Sequence, residues 1–234
     1  MLHFDPASAD YAEFLGINPF KSIAVPRPIG WISTVSSDGM DNLAPYSQFT
    51  NVGFDPPMVL FAAQPRADLS RKDSVINAEN TGCFVHNFVP YELREQMLIT
   101  GKSFGPEVDE FEEAGLHKLD SVKVAAKRVA ESPIQLECEY VTTVRLRGTT
   151  PSCHSDLVIG RVVMIHIDEK YITPEGKLDI LKLRPLSRLG YADYTSVTEQ
   201  FEMSMQSFKV EPIPGCMGWM SPTTLKKEAT YKKL

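Results

Sequence analysis

The sequence predicts a mainly β chain of the α+β type, an antiparallel barrel or sandwich interrupted by short helices. Three observations lead there. From Ile134 to Arg147, Ile134, Leu136, Cys138 and Tyr140 face one way while Gln135, Glu137 and Glu139 face the other, the period-2 pattern of a half-buried strand. Leu157 to Ile167 repeats the texture, so the two read as one long hairpin. Gly30 to Ser36 alternates large apolar with small polar residues ahead of Ser37-Asp38-Gly39, whose turn chemistry reverses the chain. With 234 residues, 43% of them hydrophobic and 23% charged, there is enough chain to bury one substantial core.

Taken in order, Ser22 to Val25 reads as a short strand ended by Pro26-Arg27-Pro28, because two prolines stiffen the backbone and remove two donors. The return strand of the first hairpin runs from Asn42 to Phe49, with Pro45 marking an edge or bulge. Thr50 to Pro57 reads as a polar loop punctuated by Gly and Pro. Met58 to Ala63 is a continuous apolar run of buried-strand length. A helix follows, capped by Ser70 with Asp73 at the capping-box position and running to Asn80 before Gly82. Cys83 to Phe88 is the next strand, and Pro90 suits the first turn of a second helix. Gly101 to Gly115 is an acidic loop with a short helix around Asp109 to Ala114. The tail from Phe208 to Leu234 lacks a core pattern, so residues 201–234 are expected to form an extension that wraps a neighbour or stays mobile.

Charge and composition narrow the function. Against 24 Lys+Arg stand 30 Asp+Glu, a net charge of −6, which argues against a duplex nucleic-acid partner held by its phosphates. No apolar run reaches membrane-spanning length, and the first residues lack a secretory or transit pattern, so a soluble protein of the cytoplasm is expected. Cys83, Cys138, Cys153 and Cys216 are widely spaced, without a Cys-x-x-Cys pair, and read as reduced thiols with no metal site.

The sequence contains no Gly-x-Gly-x-x-Gly, Walker, Gly-x-Ser-x-Gly or His-Glu-x-x-His motif. Cys153-His154 reads as a loop thiol beside a surface histidine, and His86 as a hydrogen-bonded core histidine before an acid/base. Other segments leave two readings open. Ala44 to Asn51, with Ser47, Gln48, Thr50 and Asn51, is either a polar turn or a cradle for a heterocycle or phosphate. Ser70 to Ser74, with Arg71 and Lys72, is either a solvated helix start or an anion site. Arg27 between two prolines suits a phosphate or a plain turn. Arg184 to Tyr194 gathers two arginines and two tyrosines around a glycine bend, to stack on a ring or to close the core.

Read in order, Val25-Pro26-Arg27-Pro28-Ile29-Gly30-Trp31-Ile32-Ser33-Thr34, Asn42 to Phe49, Asp55-Pro56-Pro57-Met58-Val59, Lys72 to Asn77 and Arg184 to Gly190 resemble the flavin reductase-like family. Val108 to Leu116 is similar to an insertion of that family, and the likeness spans about residues 20 to 195. The resemblance implies an FMN-binding split barrel over residues 1–200, of flavoredoxin-like type, working as a homodimer. It implies a hydride passing from NADH or NADPH to flavin N5 and then to an unidentified acceptor, or else an electron carrier or sensor without nicotinamide turnover. Ala44, Pro45, Tyr46 and Ser47 would line the isoalloxazine, with Thr50 and Asn51 at its ribityl or phosphate side. Arg27, Lys72 and Ser74 would neutralise the phosphate, and Arg188 and Tyr191 would close over the flavin. Pro28 and Thr34 fall in the same matching segments, Arg71 adjoins the one that begins at Lys72, and all three join the expected cofactor-binding set. No side-chain catalyst is implied, because the cofactor carries the chemistry.

Overall fold

Two residues, Ser47 and Gln48, decide the architecture. The computed structural model describes residues 1–7, 10–150 and 153–203. In chain order its elements are α1 (Phe20–Ile23), β1 (Arg27–Pro28), β2 (Gly30–Val35), β3 (Asp41–Tyr46), β4 (Phe49–Phe54), β5 (Pro57–Ala63), α2 (Asp73–Thr81) and β6 (Cys83–Asn87). Then come α3 (Arg94–Ile99), α4 (Glu110–Glu113), β7 (Lys118–Leu119), β8 (Arg128–Val129), β9 (Ile134–Arg147), β10 (His154–Ile167), α5 (Ile180–Leu183), β11 (Leu186–Gly190) and β12 (Asp193–Ser196). Seven strands form an antiparallel sheet in the order β3-β2-β6-β9-β10-β5-β4. Its two edge strands, β3 and β4, are consecutive in the chain and only Ser47 and Gln48 separate them. Joining opposite edges by so short a link requires the sheet to curl round on itself. The result is a barrel split along the β3/β4 seam. A three-stranded sheet, β1-β11-β12, and the small β7-β8 pair complete the strands.

Successive side chains of β2 point to opposite faces and both faces are covered, so Trp31 and Ile32 are each fully buried. Ile32 packs inside the barrel with Phe61, Phe84 and Val158. Trp31 packs outside it with Leu43, Met97 and Phe111, and its indole N–H donates to Thr100 Oγ1 at 2.9 Å. Gly160 of β10 lies over Phe84, whose ring occupies the space a Cβ would need.

The long hairpin forms as β9–β10, and the apolar run forms β5. Four local expectations are corrected. Ser22 to Val25 is not a strand: α1 occupies Phe20–Ile23. Asn18 Oδ1 accepts the Phe20 N–H at 2.9 Å, and Arg27 Nη1 donates to the Lys21 and Ala24 carbonyls, so side chains satisfy both ends of that turn. Thr50 to Pro57 is not a loop, because β4 pairs with β5 across a bulge between Asn51 and Gly53; an edge strand tolerates these exposed polar residues.

Nor is β9 simply half-buried. Glu137 is completely buried and Gln135 nearly so, since the segment before β8 covers them. The Val122 and Lys123 N–H groups donate to the Glu137 carboxylate at 2.8 and 2.6 Å, and His166 Nε2 lies 2.6 Å from it. Finally, Ser70 does not cap α2. Its hydroxyl donates to Asp68 at 2.6 Å, and Lys72 holds the cap position without a side-chain bond. Gly82, at φ 72°, ends the helix as expected. The Pro90 region begins with a 3-10 turn over Tyr91–Leu93 before α3, and Asp109 caps α4 by accepting the Phe111 N–H at 3.0 Å. Apart from 201–203, the expected extension lies outside the described residues, as does Cys216.

Candidate functional site

The seam of the barrel opens into a cleft of about 920 Å³. Four elements enclose it: α1, the β3–β4 turn, α3 and the turn between β11 and β12. Ile17, Phe20, Met97 and Leu98 give it apolar walls, and Tyr191 and Tyr194 add aromatic ones. Pro45, Ser47 and Gln48 form one rim, at the link where β3 gives way to β4. The charged groups lining the cleft are Lys21, Arg27 and Arg188. Arg188 is fixed twice: Nη2 donates to the Tyr191 carbonyl, and the guanidinium lies 4.4 Å from the Tyr194 ring centroid. Gly190, at φ 99°, is required here because a Cβ would run into Ser22 and the Lys21 carbonyl.

A smaller hollow of about 70 Å³ adjoins the cleft, sharing Pro45 and Gly101 with it. The N-terminus of α2 opens onto it through Lys72, Asp73 and Ser74, and the first N–H groups of a helix have no partner within the helix. Tyr46 also lines it. That residue is buried, and its hydroxyl makes no hydrogen bond among the described residues; burial pushes its pKa up to about 12, with the nearby Ser74 hydroxyl acting the other way. Behind the niche runs a buried relay. Asn42 Nδ2 donates to both Glu110 carboxylate oxygens at 2.9 Å, which turns the Asn42 carbonyl toward Ser74, whose hydroxyl donates to it at 2.8 Å. Burial raises the Glu110 pKa, and the Leu43 N–H at 2.9 Å and Asn42 oppose that rise.

The structure brings Arg27, Pro45, Ser47, Arg188 and Tyr191 together around the cleft, and Ala44, Pro45, Tyr46, Lys72 and Ser74 around the niche. Arg27 and Lys72 line different, adjoining hollows. Ser74 spends its proton on Asn42, so toward the niche its side chain offers an acceptor while its backbone N–H stays available. Five expected residues stand apart from both hollows. Thr34 is fully buried, donating to Asn42 Oδ1 at 3.3 Å and accepting from Asn77 Nδ2 at 3.2 Å. Arg71 is drawn off by Glu79 at 2.6 and 2.7 Å and by Asp156 at 2.8 Å. Thr50 and Asn51 lie exposed on β4, and Pro28 is exposed on β1 opposite Ser187. Among the remaining lining groups, Lys21 escaped notice because its segment reads as the approach to a strand. Met97 and Leu98 escaped notice because a helical apolar pair reads equally well as core.

His86 sits behind the cleft wall. Its ring stacks on Phe49 at 4.2 Å, Nε2 faces the Ile29 carbonyl at 3.4 Å, and Nδ1 is buried without a partner. It is the core histidine the sequence favoured. Cys153 is exposed, and His154 Nε2 lies 3.7 Å from Asp156.

Comparison with known proteins agrees with this architecture. The family model for the flavin reductase-like domain matches residues 22–183, and the chain belongs to that family. A relative from Aquifex aeolicus is 39% identical over 168 residues, covering 72% of this chain and 83% of its own. The protein YwrF of Bacillus subtilis is 32% identical over 180 residues, covering 76% and 87%. Among solved structures, nitrilotriacetate monooxygenase component B from Bacillus cereus superposes with a TM-score of 0.78 at 31% identity, over 87% of this chain and 98% of that one. Flavoredoxin of Desulfovibrio vulgaris shares the fold, with a TM-score of 0.67 at 19% identity over 82% and 97%. A flavin reductase from Shewanella frigidimarina described as having a split barrel domain does likewise, at 0.73 and 21% over 87% and 99%.

Proposed function

We propose that the protein binds FMN and works as an NADH- or NADPH-dependent flavin reductase. The observation that carries this is the pairing of two unlike hollows: a small polar niche at a helix N-terminus opening into a large apolar cleft. Their donor set fits the two ends of FMN. The α2 N-terminus, Lys72 and the unpartnered Tyr46 hydroxyl suit a phosphate, and the cleft walls suit a planar ring.

When bound, FMN supplies a ring that accepts a hydride and passes electrons on. The chain's own residues do the rest. Lys72 and the α2 N–H groups would hold the phosphate end, and Asn42, locked by Glu110, fixes the Ser74 hydroxyl at that niche. The Ser47–Gln48 backbone, on the cleft rim beside Pro45, would face the ring, where fixed N–H dipoles would favour negative charge without reorganising. Ile17, Phe20, Met97 and Leu98 exclude water, while Arg188 and Tyr191 flank the open side. The reading includes a homodimer, for which Val52 and Phe54 of β4 and Val141, Val144 and Leu146 of β9 offer exposed apolar surface.

The test is a visible spectrum after incubation with FMN and desalting, followed by anaerobic addition of NADH or NADPH. A retained flavin spectrum near one per subunit that bleaches with either nucleotide is the expected result. A colourless protein overturns the FMN reading. Retained flavin that neither nucleotide bleaches leaves an electron carrier.

A further inference from the structure

The main cleft is lined by Lys21, Arg27 and Arg188 and by no carboxylate among the described residues. That is unexpected in a chain of net charge −6. The hydrogen bonds of the two arginines go to neutral groups. Arg27 Nη1 donates to the Lys21 and Ala24 carbonyls at 2.8 and 3.0 Å, and Arg188 Nη2 donates to the Tyr191 carbonyl. Such bonds orient a guanidinium without cancelling its charge. Arg27 Nε is buried and has no partner at all among the described residues. Moreover, Arg27 and Arg188 are direct cross-strand partners of β1 and β11, and like charges placed so repel one another.

The niche is different. There Arg66 is ion-paired with Asp73, and Glu110 lines the wall, so Lys72 and Lys102 are left to meet a single phosphate. If that phosphate is the cofactor's, the charge in the cleft belongs to something else.

We propose that Lys21, Arg27 and Arg188 form a second anion subsite, which takes a pyrophosphate group carried by the molecule that exchanges electrons with the flavin. The inference rests on the FMN reading above. It adds that the redox partner is a polyanion anchored on the α1 and β11 side of the cleft. The cleft that holds that anchor adjoins the niche at Pro45 and Gly101, so a partner anchored there has its reactive ring within the hollow that meets the flavin site.

The probe is inorganic pyrophosphate, titrated calorimetrically into FMN-loaded protein, with flavin content read by absorbance after desalting. The expected result is binding with the flavin retained, weakened at least about tenfold in Arg188→Gln and in Lys21→Gln. Pyrophosphate should also raise the apparent KM for NADH or NADPH in the bleaching assay. Lys21 is exposed at the surface, so Lys21→Gln keeps the test decisive should an arginine variant fail to fold.

Absence of pyrophosphate binding, or binding unchanged in both variants, overturns the subsite. Release of FMN by pyrophosphate overturns it too, by showing that these cations hold the cofactor phosphate. Failure of the FMN reading is seen separately, as protein that never retains flavin whether or not pyrophosphate binds it.

Discussion

Burial of one imidazole ties stability to pH. His86 is enclosed by Phe49 and the Ile29 carbonyl, and burial lowers its pKa to about 4. Between pH 6.5 and about 4 the unfolded chain takes up a proton that the folded chain refuses, so stability falls as pH drops through that window and levels off below it. The loss is on the order of 3 kcal/mol. Urea midpoints at pH 7 and pH 4.5 should therefore converge in His86→Leu relative to the parent protein; equal pH sensitivity in both would assign the effect to another group. At the same scale, Lys72→Ala should weaken FMN binding by roughly 1.5 to 3 kcal/mol, the worth of a charge-assisted hydrogen bond. Thr50→Ala and Asn51→Ala should leave it unchanged, since both residues are exposed on the edge strand β4 and line neither hollow. A fluorescence titration with FMN separates these outcomes, and loss of affinity in the β4 variants would relocate the cofactor.

Among the elements, α2 and β10 each depend on a glycine for a different reason. Gly82 ends α2 at φ 72° with open space around its Cα. Gly82→Ala should thus cost about 1 kcal/mol from backbone conformation alone, seen as a modest fall in the urea midpoint with FMN affinity preserved. Gly160 sits at a register shift of the β9–β10 ladder without a positive φ, and a side chain there meets Phe84 and Cys138. Gly160→Val should overpack the barrel and cost roughly 1 to 3 kcal/mol or more. If Gly160→Val proved the milder of the two, the core around Phe84 would be looser than its packing indicates. Much at this scale was legible beforehand: the β9–β10 hairpin, β5, β6 and the Gly82 stop all follow from periodicity and turn chemistry. The strand character of β4 was not, because its residues carry loop signals and its pairing with β5 supplies the missing preference.

Across the whole molecule, Asp156 of β10 holds the α2 side of the barrel to the long hairpin. Arg71 reaches it at 2.8 Å while also gripping Glu79 of α2, and Arg145 Nε of β9 reaches it at 2.7 Å. Burial by itself would raise the Asp156 pKa, but the hydrogen bonds and charges of Arg145 and Arg71 outweigh it and hold the group below its ordinary value of 3.8. A depressed carboxylate stabilises the fold above its ordinary pKa, and that contribution is lost as pH falls from there through the folded-state value. Asp156→Asn should accordingly be less stable than the parent at pH 7, with the gap narrowing below about pH 3.8. Parallel acid denaturation curves would contradict this. The same network engages Arg71 away from both hollows, a placement that needed the tertiary partners.

By itself the sequence determined the β-rich class, most strands, the family, and the segments from which the two hollows are built, because alternation, turn residues and helix-flanking charges are local properties of the chain. The tertiary structure decided which side chains within those segments share a hollow. Arg27 and Arg71 read alike as exposed cations, yet one lines the cleft and the other is absorbed by Glu79 and Asp156. Lys72 and Arg27 read as one clamp, yet closure of the barrel at Ser47 and Gln48 places them in adjoining hollows. The physical reason is that hydrogen-bond and ion-pair partners, as well as burial, are set by residues distant in sequence. Local pattern supplies the inventory of charges, and only packing decides which of them are already neutralised.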